Sequence, residues 1–207
     1  MLYNTQRKDV HTVKTYFCNV STVSEEDLMS WFAAMSEERK EKCRRIANEI
    51  GKKCCIAADH LIRTAVSEAL NCPPEDVKWE KTESGKPYVV GNPVYISISH
   101  TEYTVACALS EGPVGIDLEL NRSVMASAQE RICSPEEWNY IRDGKTDAER
   151  SLRFIELWTR KEAIFKLDGI LPRRDKEIPA LHPETLGISV KTEKMGKYTL
   201  SVAELIL

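Results

Sequence analysis

Residues 114–120 read Val114-Gly115-Ile116-Asp117-Leu118-Glu119-Leu120. The alternation has period two and predicts a β-strand. Val114, Ile116, Leu118 and Leu120 take one face, and Gly115, Asp117 and Glu119 take the other. Two carboxylates two residues apart on one strand face lie close together and repel. A divalent cation with hard oxygen ligands would relieve that repulsion. Gly115 is expected to leave room for a ligand to approach the backbone.

The stretches around this strand predict an α+β chain. Val94, Ile96 and Ile98 alternate with Tyr95, Ser97 and Ser99, the pattern of a half-buried strand. Further strands are expected at 13–20, 77–82 and 104–109, with Ser84-Gly85-Lys86-Pro87 as a loop and a terminal hairpin over 185–190 and 198–202. Ser24 and Ser36 are placed to cap short helices. Gly51 reads as a helix stop, followed by a long helix over 52–69 that Pro73-Pro74 closes. Ser134-Pro135-Glu136-Glu137 is a capping box with proline in the first turn, opening a helix to Ile141. A second long helix is expected over 147–167, ended by Gly169 and Pro172. Each half of the chain thus offers helices and a few antiparallel strands. We divide it at 1–103 and 104–207 and, with no Gly/Ser linker between, expect the halves to pack tightly.

Composition narrows the function. The 207 residues carry 29 Lys+Arg and 32 Asp+Glu, a net charge of −3, which argues against a partner held by overall positive charge, such as a nucleic acid. No apolar run approaches the roughly 20 residues of a membrane helix. The N-terminus lacks the apolar region of a secretory signal. Seven cysteines without C-x-x-C spacing are expected to be free thiols in a reducing cytoplasm.

The second long helix adds chemistry to the carboxylate strand. Ile155, Thr159, Glu162 and Lys166 share a stripe beside an apolar arc of Phe154, Leu157, Trp158, Ile164 and Phe165. Glu162 and Lys166 are an i, i+4 pair in the favourable order. With apolar neighbours the stripe is expected to be half-buried, where an acid and a base need a partner. Ser99-His100 ends a strand, where His100 suits a phosphate contact or proton transfer. Lys86 sits in a stiff loop. Arg39, Lys42, Arg44, Arg45, Lys52 and Lys53 form a basic stretch suited to a multiply phosphorylated small molecule. Neither nucleotide-binding glycine motif is present, nor the G-x-S-x-G elbow of serine hydrolases.

In order, the chain carries Gly85-Lys86-Pro87, then Ile96-Ser97-Ile98-Ser99-His100, then Val114-Gly115-Ile116-Asp117-Leu118-Glu119. Trp158-Thr159-Arg160-Lys161-Glu162-Ala163-Ile164-Phe165-Lys166 follows. This order resembles the 4′-phosphopantetheinyl transferases of the two-half, surfactin-synthetase-activating type, with their motifs G-[IV]-D-x-E and W-[ST]-x-K-E-[AS]-x-x-K. The likeness runs from about Trp31 to Lys166. It implies two pseudo-twofold-related α+β halves with coenzyme A in the cleft between them. It also implies magnesium or manganese on Asp117, Glu119 and Glu162, with Glu162 and Lys166 catalytic. Coenzyme A would meet Arg39, Lys42, Lys86, Pro87, Ser99, His100, Asp117 and Lys166. The family's usual 3′-phosphate arginine is replaced by Cys54 here, which points to Lys53 instead. The implied activity moves phosphopantetheine from coenzyme A to a serine of an apo acyl or peptidyl carrier protein. It implies a cytoplasmic monomer that needs neither membrane nor nucleic acid. The rivals are a module that binds without transfer and a metal-dependent phosphohydrolase. The segment 121–141, with Arg122, Arg131, Met125 and Trp138, is the expected carrier-docking surface.

Overall fold

A computed structural model describes residues 13–91, 94–168 and 175–206. The first half runs β1 (Lys14–Asn19), α1 (Glu25–Ala34), α2 (Glu37–Arg44), α3 (Glu49–Leu70), β2 (Trp79–Lys81), β3 (Pro87–Val89), β4 (Tyr95–Thr101) and β5 (Thr104–Ser110). The second runs β6 (Val114–Leu120), α4 (Ala126–Ile132), α5 (Pro135–Arg142), α6 (Asp147–Asp168), β7 (Ile188–Met195) and β8 (Tyr198–Leu205). One sheet has the order β1-β5-β4 and another β6-β8-β7, all antiparallel, and β2 pairs with β3. In both halves the last strand lies between the first and the penultimate one. Each half also places two short helices and then a long one after its first strand. The halves therefore repeat one topology, the two-half α+β fold that the sequence motifs imply.

Local chemistry sets the helix ends. Ser24, Ser36 and Ser134 accept hydrogen bonds from the amides of Asp27, Arg39 and Glu137. The Ser134 amide in turn donates to Glu137 Oε2 at 2.8 Å, completing the capping box. Gly51 is not a stop. Asn48 caps α3, and Gly51 lies in its first turn, where a Cβ would meet Ile46 at 3.0 Å. The helix before it, α2, stops at Arg44 with Arg45 as its C-cap, and α3 itself ends at Asn71, at φ 51° and ψ 48°, a left-handed position that asparagine tolerates. The segment 121–141 holds two short helices rather than one. Gly169 and Pro172 lie outside the described residues.

The core is layered. On β5, Val105, Cys107 and Leu109 face α3. Ala106 and Ala108 face the other way, onto Val114, Ile116, Leu118 and Leu200 of the second sheet. Ala163, Ile164 and Leu167 of α6 cover that sheet's outer face beside Ile188 and Ala203. β5 belongs to the first sheet through both β1 and β4, so a boundary at 103/104 would cut a hairpin. We place the division between Ser110 and Val114.

Two expectations on strand faces are corrected. β4 is covered on both sides, because Ser97 and Ser99 are buried against β6. β6 is an edge strand, so its outward amides need partners. The Ile116 amide donates to Ser97 Oγ at 3.1 Å and the Leu118 amide to Ser99 Oγ at 3.2 Å. The space at Gly115 is taken by α6 and not left for a ligand. A Cβ there would stand 1.9 Å from the Ala163 carbonyl oxygen and 2.7 Å from the Leu167 nitrogen. All seven cysteines are free thiols, as expected.

Two substitutions test this packing by urea unfolding. Ser97→Ala orphans the buried Ile116 amide and should cost about 1–3 kcal/mol. Gly115→Ala cannot be absorbed without moving α6 off β6 and should cost about 3 kcal/mol or more. An unchanged midpoint in either variant contradicts the account.

Candidate active site

The halves meet at a cavity of about 420 Å³. The first half supplies Lys81, Lys86, Pro87, Ser99 and His100, and the second supplies Asp117, Glu119, Glu162, Phe165 and Lys166. Strand alternation aims Asp117 and Glu119 the same way. The i, i+4 spacing brings Glu162 and Lys166 to one side of α6. The close packing at Gly115 holds the two elements together.

Asp117 is the centre of the polar network. Its Oδ1 accepts from Ser99 Oγ at 2.8 Å and from Lys166 Nζ at 2.6 Å. Lys166 also reaches Ser99 Oγ at 3.2 Å. Asp117 Oδ2 is buried and has no hydrogen-bond partner among the described residues. Glu119 Oε1 accepts from the Trp158 indole at 3.2 Å. Burial, and then the charge of Asp117, raises the Glu119 carboxyl above the ordinary range. Burial, and then Lys166 and Lys81, holds the His100 imidazole below its ordinary pKa, with Asp117 opposing. His100 is therefore a neutral ring at pH 7, able to donate one hydrogen bond.

Among the described residues, no three His, Cys, Asp or Glu side chains converge closely enough to hold a metal ion. The pair Asp117 and Glu119 still fits a small hard cation. Such ions commonly take one or two carboxylates and fill their remaining positions with phosphate oxygens and water. The orphaned Oδ2 beside the crowded Glu119 is the donor arrangement that such an ion satisfies.

Not every expected residue reaches the cavity. Lys53 pairs with Glu25 in an apolar groove lined by Leu28, Met29, Phe32 and Ile56. Lys42 is exposed and bound to Glu38 at 2.6 Å. Arg39 lies over the Trp79 ring at 4.3 Å and 3.7 Å from buried Asp59. The residue missed from the sequence is Lys81, which lines the cavity. It has no acidic partner among the described residues. Desolvation, and then the charges of Arg39 and Lys42, lowers its pKa. Arg39 and Lys42 thus add positive potential at Lys81. Its position two residues after Trp79 on β2 was the available signal. Lys86 joins the halves, donating to the Leu167 carbonyl at the end of α6. On the docking segment, Ile141 is fully buried, while Met125 is 77% exposed near exposed Arg122 and Arg131.

Two family models match this chain. The 4′-phosphopantetheinyl transferase N-terminal model matches residues 22–111, and the 4′-phosphopantetheinyl transferase superfamily model matches 113–199. A 4′-phosphopantetheinyl transferase of Bacillus subtilis is 33% identical over 149 residues, 72% of this chain and 65% of the relative. The Sfp transferase of Bacillus subtilis strain 168 is 28% identical over 148 residues, 71% of this chain and 66% of the relative. The gsp transferase of Aneurinibacillus migulanus is 31% identical over 135 residues, 65% and 56%. The matched stretch spans just under two thirds of the first two relatives' lengths. With the repeated fold, the carboxylate strand and the Trp158–Lys166 helix in place, the chain belongs to the 4′-phosphopantetheinyl transferase superfamily.

Proposed function

We propose that this chain transfers the 4′-phosphopantetheinyl group from coenzyme A to a serine of an apo acyl or peptidyl carrier protein. The products are holo-carrier protein and adenosine 3′,5′-bisphosphate. The observation that carries this reading is the cavity's lining. Asp117, with a buried oxygen that has no partner among the described residues, and Glu119 share it with Lys81 and Lys86. A pyrophosphate linked to a phosphorylated nucleoside matches that pattern.

In this reading the carrier serine Oγ attacks the β-phosphorus of coenzyme A. The new P–O bond to serine forms as the bond to the bridging oxygen breaks, and adenosine 3′,5′-bisphosphate leaves with that oxygen. Glu162 takes the serine proton. Lys166 Nζ, held between Asp117 and Ser99, places a positive charge where the transferring phosphoryl group gathers negative charge. Neutral His100 donates a hydrogen bond to a phosphate oxygen without adding charge. Lys81 and Lys86 hold the nucleotide end, supported by Arg39 and Lys42. Asp117 and Glu119 would hold magnesium or manganese, with Glu162 lining the same cavity, and the ion when bound would neutralise pyrophosphate charge. The carrier docks on the segment 121–141, where Arg122, Arg131 and Met125 offer a positive, partly apolar surface to an acidic partner. The reading makes the chain a cytoplasmic monomer acting without membrane or nucleic acid. No helix among the described residues is long and apolar enough to cross a membrane.

The test is incubation with coenzyme A, magnesium and apo-carrier proteins, with the carrier weighed by mass spectrometry. One added phosphopantetheine supports the reading, and its absence with fatty-acid and peptide-synthetase carriers alike overturns it. EDTA should stop transfer and magnesium restore it. Glu162→Gln keeps the shape but removes the base, and should lower kcat at least ~10²-fold. Lys81→Ala and Lys86→Ala should raise KM for coenzyme A more than they lower kcat, because the nucleotide end does not change charge during transfer. An equal fall in kcat and kcat/KM would place these lysines at the reacting phosphate.

A further inference from the structure

We propose that the buried ion pair between Lys161 and Glu137 is a positioning latch, which fixes the roll of α6 so that Glu162 and Lys166 face the cavity. This rests on the transferase reading for what those two residues do. Lys161 and Glu137 are only 1% and 2% exposed. Lys161 Nζ lies 2.8 Å from Glu137 Oε1 and donates to the Ile178 carbonyl at 2.6 Å. The same Glu137 oxygen accepts from the Ala180 amide at 3.1 Å, and its other oxygen accepts from the Ser134 amide at 2.8 Å. Arg160 adds a bond to the Ala180 carbonyl at 2.9 Å. One carboxylate thus ties together the start of α5, the middle of α6 and the segment over 178–180.

Stability alone does not account for a fully buried lysine here. A buried ion pair can usually be replaced by packed apolar groups with no loss of stability. The pair adds direction. Apolar contacts let a helix roll at little cost, whereas charged hydrogen bonds at fixed lengths do not. Lys161 immediately precedes Glu162, so the latch acts about 100° around the helix from the catalytic side chain. On the sheet side, Thr159 Oγ1 and Ser201 Oγ lie 2.8 Å apart and fix a second point. The lever is short. At the ~6 Å radius of a helix with its side chains, a roll of about 10° moves a group by ~1 Å. A displacement of that size can cost ~10²-fold in rate.

Three variants are compared: Lys161→Met, the double variant Lys161→Met with Glu137→Leu, and Glu137→Gln. Urea midpoints are measured, with kcat and KM for coenzyme A at a temperature where each is folded. Lys161→Met leaves a buried carboxylate unpaired and should lower the midpoint. The double variant removes the unpaired charge but leaves the Ala180 and Ser134 amides without their acceptor, so its midpoint should recover only in part, and kcat should stay down about 10-fold or more with KM within about threefold. Full recovery of kcat would make the pair merely structural and overturn the proposal. Should the double variant not fold, Glu137→Gln decides: it keeps the shape and should still lower kcat. An unchanged kcat there overturns the latch. If the wild-type protein transfers nothing, the transferase reading falls on its own. The latch is then read from the amide chemical shifts of Glu162 and Lys166 in Glu137→Gln, which should move, and unmoved shifts refute it.

Discussion

The backbone of α6 lies directly on β6, and Gly115 is what permits it. A single methyl group there would stand 1.9 Å from the Ala163 carbonyl oxygen. Van der Waals contact between carbon and oxygen needs far more, so no other residue fits without separating the two elements. Because α6 sits this close, Lys166 reaches Asp117 directly. The same closeness lets Thr159 bond to Ser201 of β8 and Trp158 to Glu119. The glycine in the carboxylate motif thus serves the acids beside it by setting a distance. It does not itself receive a ligand.

The duplicated topology gives the site its division of labour. Both halves pack one long helix on a three-stranded sheet whose last strand lies in the middle. The acids of the cavity come from the second half, while Lys81 and Lys86 come from the first. The halves join through small side chains. Ala106 and Ala108 let the sheets approach, and the Ser97 and Ser99 hydroxyls occupy the edge amides of β6. A larger pair at 97 and 99 would push the sheets apart and leave those amides without partners. Serine is small enough to fit and polar enough to bond, and that explains the alternation Ile96-Ser97-Ile98-Ser99.

Much of this was legible from the residues, and the misreadings have physical causes. β6 was placed at both its ends because four apolar residues alternate with a glycine and two acids. α6 was placed to within a residue because its apolar arc runs from Phe154 to Phe165, broken only at Lys161. Gly51 misled because glycine is common after helices, and here it stands in a first turn capped by Asn48. The true end of the preceding helix, at Arg45, carries no glycine. β3 was missed because it has three residues and begins with proline. The cavity residues from the four motifs came together because each lies at a strand end, on a strand face or on one helix stripe. The basic stretch dispersed because it spans two helices, which turn Lys53 toward α1 and Arg39 onto Trp79. Lys81 gave little warning, since a lysine in a short edge strand looks like any solvated lysine.

The order in which the layers are encoded has a consequence for synthesis. The first sheet and α3 lie wholly within residues 14–110, so this half can close its own core as soon as β5 leaves the ribosome. Its other face cannot be covered then. Ala106, Ala108 and the two serine hydroxyls wait for β6, and β6 is itself an unsupported edge until β8 emerges at residues 198–205. At a synthesis rate of roughly 5–20 residues per second, that delay lasts several seconds. Through it the nascent chain presents a flat, small-residue sheet face bordered by an open strand edge, the kind of surface that pairs with neighbouring chains. Of the whole molecule, this face has the most to gain from a chaperone on the nascent chain.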